Sequence, residues 1–156
     1  MKEVERKFVV QSIPFSLEKY PFNNIRQGYL LISADESEVR VRQKGDCYFL
    51  TLKKGIGLER QEIEIEITQN QFEKLYPATV DQCLEKRRFE IQYENRLIEL
   101  DIFTGKLNGL IIAEVEFKSV GDSKSFKAPE WFDKEVTDDA RFTNRNLAKH
   151  GLPKYL

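Results

Sequence analysis

The chain reads as an all-β dominated protein of the α+β kind, an eight-stranded antiparallel closed β-barrel with a few packing helices. Three observations predict it. Apolar and polar residues alternate in eight separate runs, the period of a half-buried strand. Short turn signals join several of them, Lys44-Gly45-Asp46, Gly55-Ile56-Gly57 and Glu94-Asn95, and favour hairpins over crossovers. Helical periodicity is confined to brief stretches.

The first run, Lys2–Val10, sets Glu3, Glu5 and Lys7 on one face. Ile25–Ile32 follows, then Glu38–Lys44, where Glu38, Arg40, Arg42 and Lys44 oppose Val39 and Val41. Tyr48–Lys54 leads into Arg60–Ile67, with Arg60, Glu62, Glu64 and Glu66 against Ile63, Ile65 and Ile67. Thr68 or Asn70 caps a helix to about Tyr76, with Phe72, Leu75 and Tyr76 on one side and Pro77 ending it. Leu84–Tyr93 and Arg96–Phe103 form a long hairpin, carrying Lys86 and Arg88 on one strand, Glu99 and Asp101 on the other. Ile111–Lys118 opposes Glu114, Glu116 and Lys118 to Ala113, Val115 and Phe117. A short helix is expected before Pro129. Asp138 or Asp139 caps a last helix through about His150, burying Phe142, Leu147 and Ala148 and stopped by Gly151 and Pro153.

No repeat or linker divides residues 1–156, which fit one domain. A charged fraction of 33% beside 40% hydrophobic still permits a globular core. With a net charge of −1 the molecule is not built for nonspecific attraction to nucleic acid or an anionic membrane, so any anion needs a local basic cluster. Cys47 and Cys83 form neither a metal spacing nor a disulfide framework and read as strand residues. Without a signal peptide or a long apolar run, a cytoplasmic setting is expected. The lone His150 nearly excludes histidine-based catalysis, leaving carboxylates, lysine, arginine, tyrosine or a metal. Lys53-Lys54-Gly55 lacks P-loop spacing and reads as a hairpin end.

Alternating charge on a single strand ordinarily marks a wetted face. Here the charges cluster by sign from strand to strand, which weakens that reading and leaves as the alternative that the charged faces line a shared polar interior. Neighbouring carboxylates repel unless a cation lies between them, and oxygen donors suit Mg²⁺ or Mn²⁺. Arginine and lysine facing the same space suit phosphoryl oxygens.

In this order and spacing, the residues resemble the CYTH superfamily, the triphosphate tunnel metalloenzymes. The resemblance begins with Glu3-x-Glu5-x-Lys7 and runs through QGYL at Gln27–Leu30, Arg40-x-Arg42, LTLK ending at Lys53 and Arg60-x-Glu62-x-Glu64. It continues in Lys86-x-Arg88, IELDIF at Ile98–Phe103, AEVEF at Ala113–Phe117 and EVT at Glu135–Thr137. Compact single-domain bacterial members are the most similar.

The resemblance implies a barrel whose inner face binds a linear triphosphate with a divalent metal. It makes Lys7, Arg40, Arg42, Lys53 and Arg88 phosphate ligands, and Glu3, Glu5, Asp101, Glu114 and Glu116 metal ligands. Glu62 and Glu64 become a second metal site or a supporting shell. Lys86 and Tyr29 position the attacking water or the leaving phosphate. Trp131 and Arg141–Leu147 pack against the barrel. The implied activity is metal-dependent hydrolysis of a linear triphosphate, with inorganic tripolyphosphate preferred because no added segment resembles a base or thiazole pocket. The alternatives are a class IV-type adenylate cyclase, a thiamine or nucleoside triphosphatase, and a noncatalytic polyphosphate-binding module. An exposed apolar strand face is compatible with a homodimer.

Overall fold

The computed structural model describes residues 4–35, 37–54 and 61–154. All eight expected strands form: β1 Val4–Val9, β2 Phe22–Ile32, β3 Glu38–Lys44, β4 Cys47–Lys54, β5 Gln61–Ile67, β6 Cys83–Tyr93, β7 Arg96–Thr104 and β8 Ile111–Phe117. They make one antiparallel sheet in the order β1-β8-β7-β6-β2-β3-β4-β5. The Gly55-Ile56-Gly57 turn and Arg60 lie outside the described residues.

The closed barrel expected from sequence is corrected in one respect: among the described residues no ladder joins β1 to β5. The free edge of β1 is already used. Val9 N–H donates to Lys134 O (2.9 Å), Asp133 N–H to Val9 O (2.8 Å) and Val136 N–H to Lys7 O (2.8 Å). Thr137 Oγ1 accepts from Lys7 N–H at 3.0 Å. The sheet is nevertheless rolled, because Glu5, Lys7 and Glu114 line one cavity with Tyr29, Glu38, Arg40 and Lys53 from the other half.

The outer face of β1, β8, β7 and β6 is covered mainly by irregular chain. Phe8, Phe89, Ile98, Leu100, Val115 and Phe117 bury against Phe126 and Phe132, with Phe15, Tyr20 and Trp131 packed around them. Trp131 meets Phe132 edge-on at 4.7 Å and Phe15 at 5.3 Å, geometry that aromatic quadrupoles favour. Such cover has no period, so sequence alternation does not reveal it. Over β3 and β4, helix α1 (Gln69–Leu75) lays Phe72 on Val41 and Tyr48. Thr68 and Gln71 close the capping box that starts it, and the chain turns on through a 3-10 segment, Tyr76–Thr79, rather than stopping at Pro77. Leu31, Ile63 and Ile65 on the remaining outer face stay half exposed.

Helix α2 (Val120–Ser125) is the short helix expected before Pro129. The last expected helix is broken in two. Asp139 caps only a 3-10 turn, Ala140–Phe142, and Thr143 then caps α3 (Asn144–His150) by accepting from Asn146 N–H. Leu147 and Ala148 of α3 are fully buried with Phe142 against Val9, Tyr29, Leu84, Phe103 and Ile112. Those five strand residues belong to the concave face by register, so one end of the barrel interior is filled and apolar. Among the described residues no helix is long and apolar enough to cross a membrane.

Gly28 records a close approach. A Cβ there would lie 2.1 Å from Thr79 Oγ1 and 2.5 Å from Thr79 Cβ, and Thr79 is buried with its hydroxyl donating to Tyr76 O. Gly28→Ala is therefore expected to cost about 1–3 kcal/mol by overpacking. Adding Thr79→Gly should recover part of it in thermal melts. An unchanged melt for Gly28→Ala would contradict this contact.

Candidate active site

Cross-strand partners project to the same side of a sheet, so the register alone assembles the site. Glu5 faces Glu116 and Lys7 faces Glu114 across β1 and β8, and Glu114 in turn faces Glu99 on β7. Asp101 pairs with Arg88. Across β2, Tyr29 pairs with Arg40 and Gln27 with Arg42, while Lys53 lies between Glu38 and Glu62. All the expected site residues that are described, Lys86 and Glu64 included, thus share the concave face. Glu3 lies outside the described residues.

Their environments differ sharply. At the centre, Arg88 grips Asp101 with two parallel bonds, Nε–Oδ1 2.7 Å and Nη2–Oδ2 2.9 Å, and reaches Glu99 at 3.1 Å and Glu114 at 3.6 Å. Lys86 Nζ sits 2.8 Å from Asp101 Oδ2, donates to Asn144 Oδ1 at 3.1 Å and lies over the Phe103 ring. Both side chains of the Lys86–Asp101 pair are only 2% exposed. Both Asp101 oxygens are therefore engaged by cations.

Two cations share this one carboxylate, and the excess positive charge falls on the lysine. Burial, helped by Arg88, pulls the Lys86 ammonium down to about 8 against the pull of Asp101. Burial pushes Asp101 up, but Lys86 and Arg88 overcome it and hold the carboxyl at about 2. Burial also raises the Tyr29 phenol, which accepts from Gln27 Nε2 at 2.8 Å. Arg42 is lowered by burial and by Arg40 and Arg88, a sign of crowded positive charge.

Nearer β1, burial pushes Glu114 up, yet a hydrogen bond with Glu5 and the cations Lys7, Lys86 and Arg88 hold it below the usual carboxylate range. On β5, Glu62 and Glu64 are exposed; Glu64 accepts from Thr51 Oγ1 at 3.2 Å and lies 3.8 Å from Arg42.

A cavity of about 250 Å³ is lined by Glu5, Lys7, Tyr29, Glu38, Arg40, Lys53 and Glu114 together with Thr143, Asn144 and Arg145. The residues of 143–145 were not expected there. Their only sequence signal is a second capping residue, Thr143, inside what reads as one helix. Gln27 and Glu38 were also unassigned, although their alternation with Tyr29 and Arg40 puts them on the same face.

A rolled sheet that gathers arginines, lysines and carboxylates in its hollow has charged groups of the kind that bind a compact polyanion. The chain belongs to the CYTH domain family, whose sequence model matches residues 1–143. An inorganic triphosphatase of Nitrosomonas europaea is 46% identical to it over 150 residues, covering 95% of this chain and 97% of that one. The inorganic triphosphatase of Acetivibrio thermocellus is 38% identical over 152 residues, 96% and 94% of the two chains. The crystal structure of the inorganic triphosphatase NE1496 superposes with a TM-score of 0.79 at 42% identity, covering 96% and 95%.

Proposed function

We propose that this chain is a divalent-metal-dependent triphosphatase that hydrolyses inorganic tripolyphosphate to phosphate and pyrophosphate. The observation that carries the reading is the concave face itself, where Lys7, Arg40, Arg42, Lys53 and Arg88 stand among Glu5, Glu114 and Glu116. The names of the two relatives support the same substrate.

The donor set suits a hard cation, Mg²⁺ or Mn²⁺, because every candidate ligand is a carboxylate oxygen. Among the described residues no three acidic, histidine or cysteine side chains converge. The Glu5–Glu114 contact supports a fit all the same, since two carboxylates can meet only over a shared proton or a cation. Glu5, Glu114 and Glu116 are the proposed ligands, with Glu3 beside them in sequence. Asp101, already bonded to Lys86 and Arg88, is the fourth candidate. Glu64 supports Arg42 and Glu62 faces Lys53 from the β5 edge, or the two hold a second ion. When bound, the ion neutralises phosphoryl charge.

The chain's own groups do the rest. The arginines bind phosphoryl oxygens by twin hydrogen bonds and the lysines as point charges, holding the chain in line for attack. Lys86 orients the attacking water, its ammonium donating to it in place of Asn144 Oδ1 while Asp101 holds the charge. Tyr29 directs its hydroxyl at the leaving phosphate. The expected homodimer draws its support from the uncovered strip Leu31, Ile63 and Ile65.

The test is direct. Purified protein is incubated with tripolyphosphate, ATP or thiamine triphosphate, with and without Mg²⁺ or Mn²⁺, and phosphate and cyclic AMP are measured. Metal-dependent phosphate release, fastest from tripolyphosphate, is expected. Cyclic AMP would favour a cyclase, and tight binding without turnover a noncatalytic module.

A further inference from the structure

Gln27 shares the concave face with Tyr29, two residues before it on β2, yet of the two only Tyr29 lines the cavity. The Gln27 residue is 1% exposed, and its Nε2 donates to the Tyr29 hydroxyl oxygen at 2.8 Å. Among the described residues its Oε1 has no hydrogen-bond partner. Burying an amide with half its capacity unmet destabilises a fold, and methionine would fill similar space without that cost. Packing therefore does not account for the amide, and the bond it makes singles out the tyrosine tip.

The backbone and ring of Tyr29 are held by other groups. Gly28 lets the strand close onto Thr79, Tyr29 N–H donates to Gln82 O at 2.9 Å, and Gln82 Nε2 donates to Tyr29 O at 3.3 Å. The ring is buried in one cluster with Leu84, Phe103 and Leu147. What these contacts leave free is the hydroxyl proton, which rotates to suit its surroundings. A donor from Gln27 takes the lone pair on its own side of the oxygen and turns the proton to the other. Burial raises the phenol, which therefore keeps that proton to donate.

The geometry points to Gln27 as the positioning residue that aims the Tyr29 hydroxyl into the cavity. This inference rests on the proposed reading, in which Tyr29 faces the leaving phosphate, and deepens it. As the P–O bond breaks, its electron pair stays on the leaving oxygen, and an O–H already turned toward it stabilises the developing charge without reorganising. Gln27 touches no substrate and acts only through Tyr29.

A double-mutant cycle tests this: Gln27→Met and Tyr29→Phe, singly and together, with Gln27→Asn as the milder change. Each protein is measured for kcat and KM on tripolyphosphate with Mg²⁺ and, independently of turnover, for calorimetric affinity for tripolyphosphate without added metal. Tyr29→Phe should lower kcat about 10²-fold, as loss of an oxyanion donor does. Gln27→Met should lower kcat roughly tenfold, while KM and affinity change less than about threefold. Added to Tyr29→Phe, Gln27→Met should lower kcat by less than about twofold, because no hydroxyl is left to aim. Gln27→Asn, whose amide falls a methylene short of the phenol, should show the same loss and the same dependence on Tyr29.

A loss that persists undiminished in the Tyr29→Phe background overturns the inference and leaves the triphosphatase reading intact. So does an unchanged or raised kcat in Gln27→Met, the latter meaning that the amide withholds the proton. Full turnover by Tyr29→Phe overturns it as well. Wild-type protein that neither binds nor hydrolyses tripolyphosphate removes both. Melting curves identify misfolding, and Gln27→Asn carries the cycle if Gln27→Met unfolds.

Discussion

Asp101→Asn is expected to lower the midpoint of thermal unfolding by roughly 4–20 °C, at about 2–4 °C per kcal/mol for a chain of this size. The cause is a stranded pair of cations. Asp101 is the carboxylate that both Lys86 and Arg88 bond, and the lysine has no appreciable access to water. Removing one partner of a buried ion pair costs about 3–5 kcal/mol. The depressed carboxyl gives an independent figure: held at about 2 against an ordinary 3.8, it is worth about 2 kcal/mol at neutral pH. The two figures bracket a loss of about 2–5 kcal/mol. Because the folded carboxyl titrates below the unfolded one, this stability is complete above pH about 4 and drains away as pH falls toward 2. Wild type should therefore lose stability over that window, and Asp101→Asn should show a flatter acid limb. Adding Lys86→Met removes one stranded charge and should recover part of the loss. A melt for Asp101→Asn within a degree of wild type would refute this account.

Glu5→Gln and Glu116→Gln should do the opposite, abolishing function while sparing the fold. The two glutamates face each other across β1 and β8, and both are exposed. Like charges directly opposite on a sheet destabilise it, so neutralising either one should leave stability unchanged or slightly improved. If they hold the cation that neutralises the triphosphate, metal-dependent turnover should fall about 10²–10³-fold, by analogy with the loss of a single oxyanion donor. Added Mg²⁺ or Mn²⁺ should raise the melting temperature of wild type, since an ion that binds only the folded chain stabilises it. In each variant that rise should shrink. Full turnover in either variant at saturating metal would dismiss that glutamate as a ligand.

The strands were legible because each alternates, and alternation is a local property. Glu38–Lys44 and Ile111–Phe117 declare both their faces without reference to anything else in the chain. Once the strands are placed, antiparallel register brings Lys7, Arg88 and Glu114 together, which is why the site was readable from residues far apart in sequence. Three things were not readable. The outer cover depends on Phe15, Phe126 and Trp131 in irregular segments, where no period announces burial. Among the described residues β1 pairs its second edge with residues 133–137 and not with β5, a choice between non-local partners. The placement of Asn144 and Arg145 follows from a helix break at Thr143, where two capping residues, Asp139 and Thr143, compete within five positions. A reading that allows one cap per helix passes over the second.

The unlaced seam also governs how the hollow can be entered. Were every strand bonded to two neighbours, widening the wall anywhere would break a backbone ladder, and a rod-shaped anion would have to thread in end-on. Among the described residues β1 is fastened to residues 133–137 and shares no backbone ladder with β5, so the girth of the hollow can change along that line without the loss of such a ladder. Combined with the plug of Leu147 and Ala148 at one end, this makes the molecule less a pipe than a sleeve, sewn shut at the cuff and, among the described residues, unlaced down one side.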